Sequence, residues 1–264
     1  MEIVSLKNNI GVANDVHQFE NRDFLTFNET GGTALWERGV PAGSVLNQAA
    51  SGTQVYGTNL IGNHPDDTIA YLFTGCYDLT SITNPTLQFE MAFELEQDWD
   101  LMYMEYSVDG GSNWNVLGSS TDPNWYNSSR SPNGINCFNC VGAQWTGTDA
   151  TMKTYSYDLT AFNAENNIVF RYVFHSDQSV TEEGVIIDNV VVTGTLSNED
   201  LNLENSFKVF PNPSNGNFTL SWNSLDDFDY SIYDVSGKLI TSRNNNSGNQ
   251  HTIDLNGVAQ GMYF

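Results

Sequence analysis

Two groups of residues have the types and spacing that could do chemistry. The first is a set of aromatic side chains in one long polar stretch, 119–148, which carries Trp125, Tyr126, Phe138 and Trp145 among Asn, Ser and Gly. Aromatic faces stack on sugar rings while neighbouring amides read hydroxyls, and a loop this long inside a compact domain is often functional. With Trp99 just upstream, the residues Trp99, Trp125, Tyr126 and Trp145 are expected to bind a glycan or another cell-surface ligand. The alternative is that the rings tuck under the loop as a small satellite core, above all Trp145. Within the same stretch Cys137-Phe138-Asn139-Cys140 can close as a disulfide in an oxidising exterior, or stay as thiols. A redox CxxC opens a helix in a βαβ unit, and nothing here reads so.

The second group is acidic. Asp66 and Asp67 follow Gly62-Asn63-His64-Pro65 in a turn, where they either start the turn or supply oxygen ligands to a hard cation, which takes about six to eight of them. Asp98 and Asp100 flank Trp99 and read as a solvated turn, because no loop of EF-hand spacing surrounds them. Catalytic patterns are missing. There is no Gly-x-Ser-x-Gly, no His-Glu-x-x-His and no phosphate loop. His17, His64, His175 and His251 are scattered, and no carboxylate pair stands out as a glycosidase pair would. The expectation is a chain without catalysis of its own.

Composition narrows the partners. Among 264 residues, 9 Lys+Arg stand against 32 Asp+Glu, a formal net charge of −23. Such a field repels phosphate backbones and anionic membrane surfaces, so nucleic acid is excluded as a partner. No apolar run is long enough to span a bilayer. Met1 to Lys7 lacks the cationic start and apolar block of a secretory leader, so a leader, if used, is expected elsewhere. At 39% hydrophobic and 12% aromatic the chain has the material for a packed core.

The elements that must position these residues are strands. Alternation bounded by Gly, Asn, Asp and Pro recurs, and helical periodicity is nearly absent. It predicts strands at Thr86–Leu95, Leu101–Val108, Trp114–Leu117, Thr154–Leu159, Ile168–His175 and Val185–Val192, with an Asp109-Gly110-Gly111 hairpin turn. Val185–Val192 is apolar on both faces and should be covered on both. A polar, acidic stretch at 195–206 reads as a linker, and alternation resumes at Phe207, Val209, Phe218, Leu220, Trp222, Tyr230–Val235 and Lys238–Thr241. The fold class is all-β. A larger β-sandwich occupies 18–194, after an N-terminal extension or preceding-domain tail at 1–17, and a small Ig-like β-sandwich occupies 207–264.

Two resemblances add to this. The order Phe210-Pro211-Asn212-Pro213-Ser214, then Tyr233-Asp234-Val235-Ser236-Gly237-Lys238, then Gly261-Met262-Tyr263-Phe264 resembles the type IX secretion sorting domain of Bacteroidetes, ending a few residues short of its usual final strand. The resemblance implies export by that machinery to the cell exterior or surface. The second runs through Trp36-Glu37-Arg38-Gly39-Val40-Pro41, Ala49-Ala50-Ser51-Gly52, Tyr56-Gly57-Thr58-Asn59-Leu60, Ser107-Val108-Asp109-Gly110-Gly111 with Trp114, and Glu183-Gly184-Val185-Ile186-Ile187-Asp188-Asn189-Val190. It resembles MAM-like jelly rolls of secreted bacterial proteins, including choice-of-anchor J and cleaved adhesin domains. This implies a secreted adhesion or carbohydrate-binding module. The alternatives are the accessory region of a larger secreted peptidase or glycoside hydrolase, and a structural protein acting through protein contacts. It also implies a structural Ca²⁺, with the first strand beside the last so that Glu20 approaches Asp188 and Asp66 and Asp67 add ligands.

Overall fold

In the computed structural model, residues 10–21, 24–29, 35–132, 137, 139–196, 207–222, 228–246 and 248–263 are described. The chain divides into two compact units, Met1–Ser197 and Asn198–Phe264. The predicted linker lies outside the described residues from 197 onward, as does Phe138.

The first unit is two five-stranded antiparallel sheets. Its strands are β1 (Leu25–Asn28), β2 (Glu37–Gly39), β3 (Val55–Gly57), β4 (Ile69–Tyr77), β5 (Ile82–Glu94), β6 (Leu101–Ser107), β7 (Asn115–Val116), β8 (Thr148–Asp158), β9 (Ile168–His175) and β10 (Gly184–Leu196). One sheet has the order β1-β4-β9-β6-β7 and the other β2-β3-β10-β5-β8. Apart from the added edges β1 and β2, successive strands from β3 to β6, and again from β8 to β10, alternate between the sheets. This is jelly-roll connectivity, reached from the pairing alone. Local chemistry explains the individual turns. The β6–β7 hairpin is held by Asp109, whose carboxylate accepts from Ser107, Ser112 and Asn113; those hydrogen bonds, led by Asn113, pull its pKa down to about 2.

Between the sheets the core is aromatic. Phe89 lies edge-on to Trp125, Trp145 and Tyr172 at ring separations of 5.6, 5.8 and 5.1 Å, a geometry that aligns ring edges with ring faces. Met102, Met104, Phe170, Phe174, Val185, Ile187 and Val192 complete it. The other face of β10 is also covered, as its unbroken apolar sequence requires. Ile186 and Ala92 pack with Leu46 and Val55, flanked by Leu60 and roofed by Val45 and Ala49.

That roof is an irregular strap, residues 40–54, and its backbone N–H groups need acceptors once they leave water. Three carboxylates supply them. Glu183 accepts from Ser44 N at 2.6 Å, Val45 N at 3.0 Å and Leu46 N at 2.7 Å. Asp188 accepts from Ser51 N at 2.8 Å, and Glu20 from Thr53 N at 2.7 Å and Gln54 N at 2.9 Å. Gly52 sits at φ +55°, and a Cβ there would collide with the Glu20 carboxylate, so glycine is required for this approach.

Burial pushes the Glu183 pKa up, but the hydroxyl of Ser44 and the amides of Leu46, Val45 and Ser44 outweigh it and hold the carboxyl below its ordinary range. A depressed carboxylate contributes stability that is full above the unfolded-state pKa and disappears as pH falls through the folded-state one. Between pH ~5 and ~3, wild type should therefore lose stability more steeply than Glu183→Gln; denaturant midpoints across that range measure it, and parallel curves would refute the assignment.

The second unit holds β11 (Phe207–Phe210), β12 (Asn217–Trp222), β13 (Phe228–Tyr233), β14 (Leu239–Asn246) and β15 (Gln250–Asp254). They form the sheets β11-β12-β15 and β13-β14. Leu220, Ile232, Ile253 and Leu255 are the shared core, with Phe218, Tyr230, Ile240 and Tyr263 at its margin. The Ser236-Gly237 turn is organised by Asp234, which accepts from Ser236 N, Ser236 Oγ and Lys238 N.

Candidate functional site

The aromatic loop is not a rim. Trp145 is 0% exposed, bridged through its backbone to Met102, and its indole N–H donates to Trp125 O at 3.0 Å. Trp125 Nε1 donates to Leu117 O at 3.0 Å. Tyr126 Oη donates to Leu117 O at 2.9 Å and accepts from Met104 N at 3.0 Å; burial pushes its pKa up. All three rings belong to the main core. The physical reason is that β6 and β7 leave this flank of the sandwich open, and the long loop folds back to close it. The Ser128–Gln144 bridge holds the loop shut, with Cys137 and Cys140 joined by a disulfide and buried against Leu101. Only Trp99 stays partly exposed, in the turn that ends with Asp100 N donating to Glu96 O.

Asp100 is not in a solvated turn. It is 1% exposed, with Oδ2 3.1 Å from His64 Nε2. Its neighbour Glu96 has a raised pKa, through burial first and then the carboxylates of Asp177, Asp100 and Glu182.

Nor do the four acids expected to hold a cation form one site. Asp66 and Asp67 are exposed. Among the described residues no three His, Cys, Asp or Glu side chains are placed to hold a metal ion. Glu20 and Asp188 do reach the same strap, and one feature there suits a cation: Asp188 is 0% exposed. Burial raises its pKa, Glu90 adds to the rise, and the amides of Ser51, Asn189 and Ala50 oppose it. Backbone carbonyls would have to complete any oxygen shell.

A surface suited to a ligand lies instead on the outer face of the β1-β4-β9-β6-β7 sheet. Alternation sends Ala70, Leu72, Phe170, Tyr172, Phe174, Met102 and Met104 inward and puts Tyr71, Phe73, Arg171, Val173, Tyr103 and Glu105 on the other face, where Tyr71, Phe73, Val173 and Tyr103 are themselves buried by their neighbours and Phe27 is the exposed ring. Register aligns them in two rows: Phe27, Tyr71, Val173, Tyr103, and Phe73, Arg171, Glu105, Val116. Phe27 stacks on Tyr71 with an interplanar angle of 11° and is 56% exposed. The Arg171 guanidinium sits 4.0 Å from the Tyr71 ring centre and 4.0 Å from that of Trp114, a double cation–π contact. Arg171 Nε donates to Glu105 Oε2 at 2.6 Å. Tyr71 donates to Glu29, and burial raises the pKa of both Tyr71 and Tyr103. His175, at the end of the strand, is held below its ordinary pKa by burial. The result is a continuous Phe27–Tyr71–Arg171–Trp114 stack with carboxylates at its edge, whose exposed ring is Phe27 and whose polar groups are fixed.

Sequence reasoning missed this face. Its one available signal was a run of charged and aromatic residues at alternate positions, Tyr103 and Glu105 in one strand and Arg171 in another.

Comparisons with known proteins bear on both units. The chain is similar to Bacillopeptidase F of Bacillus subtilis (strain 168), at 32% identity over 158 residues, 60% of this chain and 9% of the relative. The chain thus spans under a tenth of that protein. Among solved structures it is similar to the K2 cleaved adhesin domain of Lys-gingipain, at 16% identity over 69% of this chain and 98% of that one, TM-score 0.43. It is also similar to the K1 cleaved adhesin domain of Lys-gingipain from Porphyromonas gingivalis W83, at 15% identity over 68% and 97%, TM-score 0.40. At such TM-scores these likenesses decide nothing about function. Among the described residues no helix is long and apolar enough to cross a membrane. Residues 208–264 match the family model of the secretion system C-terminal sorting domain, over the three-plus-two-stranded unit built around Leu220, Ile232 and Ile253. This part of the chain belongs to that family, the type IX sorting domain, and the protein is therefore secreted or displayed at the cell surface.

Proposed function

We propose that the exported protein is a non-catalytic binding module that takes a glycan on the outer face of the β1-β4-β9-β6-β7 sheet. The observation that supports this most is the Phe27–Tyr71–Arg171–Trp114 stack, which offers the exposed Phe27 ring on a base of fixed aromatic and guanidinium groups. The test is titration of the full chain against cello-, manno-, xylo- and galacto-oligosaccharides. Saturable binding to at least one is expected, and a blank panel removes the reading.

A second reading has its own support in the Bacillopeptidase F match: the chain as an accessory region of a larger secreted peptidase. A peptidase catalytic domain in the same polypeptide would favour it. Calcium belongs to the proposal at Glu20 and Asp188 alone, as a staple of the strap. A bound ion stabilises by RT ln(1 + [L]/Kd), so the thermal midpoint should rise with Ca²⁺ and fall with chelator; an unchanged midpoint removes the ion from the proposal.

A further inference from the structure

We infer that the ligand of this face is an uncharged sugar, and that Glu105 sets this preference by neutralising Arg171. The inference rests on the glycan reading above and concerns its charge class.

Arg171 is the cationic residue at the centre of the stack. A guanidinium between two rings in a sugar-binding surface ordinarily favours anions, since its fork matches a carboxylate. Here that option is already taken: Nε and Nη2 both reach Glu105 Oε2, at 2.6 and 2.5 Å, and the two side chains are each 15% exposed. Coulomb attraction between partly buried partners is screened less than at an open surface, so an approaching anion meets a paired charge. It also meets the exposed Glu29 carboxylate beside Tyr71 and a chain of net charge −23. Every electrostatic contribution beyond Arg171 therefore disfavours a uronate.

The same geometry leaves Arg171 able to read hydroxyls. Guanidinium has five N–H donors in a fixed plane. Nε and Nη2 are engaged with Glu105, while Nη1 has no hydrogen-bond partner among the described residues. The Tyr71 and Trp114 ring centres each lie 4.0 Å from the guanidinium carbon, so Nη1 is a positioned donor in the same stack as the exposed Phe27 ring, which packs on Tyr71. A neutral pyranose satisfies both features, its apolar face on the ring and a hydroxyl accepting from Nη1. Replacing Glu105 by Gln would return the full positive charge to the fork without removing the stack.

The experiment measures affinity of the full chain for galacto-oligosaccharides and for oligogalacturonate of the same length, in wild type, Glu105→Gln and Arg171→Lys. Wild type needs no variant to be decisive: the neutral sugar should bind about tenfold or more tightly than the uronate. In Glu105→Gln the ratio should narrow or invert by about tenfold, a change of selectivity that a merely structural role would not produce. Arg171→Lys, which keeps the charge but loses the planar fork, should weaken neutral-sugar binding. Equal or tighter uronate binding by wild type, or a ratio unchanged in Glu105→Gln, overturns this inference while leaving a glycan site standing. A chain that binds neither sugar, nor any of the wider panel, overturns the glycan reading and this inference together.

Discussion

Trp145→Ala is expected to lower the unfolding free energy by about 3–5 kcal/mol. Trp145 is 0% exposed and touches four other rings, with centroid separations of 5.8 Å to Phe89, 5.1 Å to Trp125, 4.4 Å to Tyr126 and 5.2 Å to Tyr155. Truncation empties that volume, because neighbours fixed by the β6 and β8 ladders relax only in part. It also leaves the Trp125 carbonyl without its indole donor, a buried acceptor whose loss adds its own desolvation cost. Urea titration of the full chain measures the change. A Trp145 exposed for stacking on sugar would instead change stability by about 0.5 kcal/mol or less, so the experiment separates a core tryptophan from a binding one.

Asp100→Ala should be comparably severe, at about 3–5 kcal/mol. Asp100 and His64 are each 1% exposed at the side chain, with Nε2 3.1 Å from Oδ2. The carboxylate also accepts from Asp177 N at 3.1 Å and Glu96 N at 3.3 Å. His64 in turn meets Pro65 O and the Glu182 amide. One carboxylate therefore ties together the turn before β6, the loop before β4 and the loop before β10. Removing it takes the acceptor from the amides of Asp177 and Glu96 and the partner from a buried imidazole. Denaturant midpoints test this, and a loss under about 1 kcal/mol would mean that these loops resolvate without the pair.

What could be read from the sequence, and what could not, divides along physical lines. Several strands announced themselves: β9 was expected at Ile168–His175 and lies there, β10 differs by extension at its ends, and β5 starts four residues earlier and stops one residue sooner than expected. Strand β4, Ile-Ala-Tyr-Leu-Phe-Thr-Gly-Cys-Tyr, was not recognised, because it is covered on both faces and its run of apolar residues carries no period-2 contrast. Exposure was the harder property. Trp125, Tyr126 and Trp145 have the composition of a sugar-binding loop, yet the same composition serves a loop that must cover an open flank with its own rings. Sequence distance hid the face that does present aromatics, since Phe27, Tyr71, Trp114 and Arg171 become neighbours only through strand register. The acids Glu20 and Asp188 were expected to need a cation, and the structure supplies them with backbone amides of the 40–54 strap. A buried carboxylate in a sequence marks the need for a partner without naming what meets it. The sorting domain was legible because turn residues at fixed spacing, not tertiary contacts, carry its pattern.

The most direct test compares Phe27→Ala with Trp99→Ala in one oligosaccharide titration, each variant first shown to unfold at the wild-type denaturant midpoint. Phe27 is 56% exposed and stacks on Tyr71, so its loss should leave stability within about 0.5 kcal/mol. A glycan seated on the β1-β4-β9-β6-β7 face should then bind roughly thirtyfold more weakly, the equivalent of about 2 kcal/mol for a central aromatic anchor, while Trp99→Ala binds as wild type. Full affinity in Phe27→Ala together with lost affinity in Trp99→Ala would place the ligand at the turn before β6 and contradict the assignment.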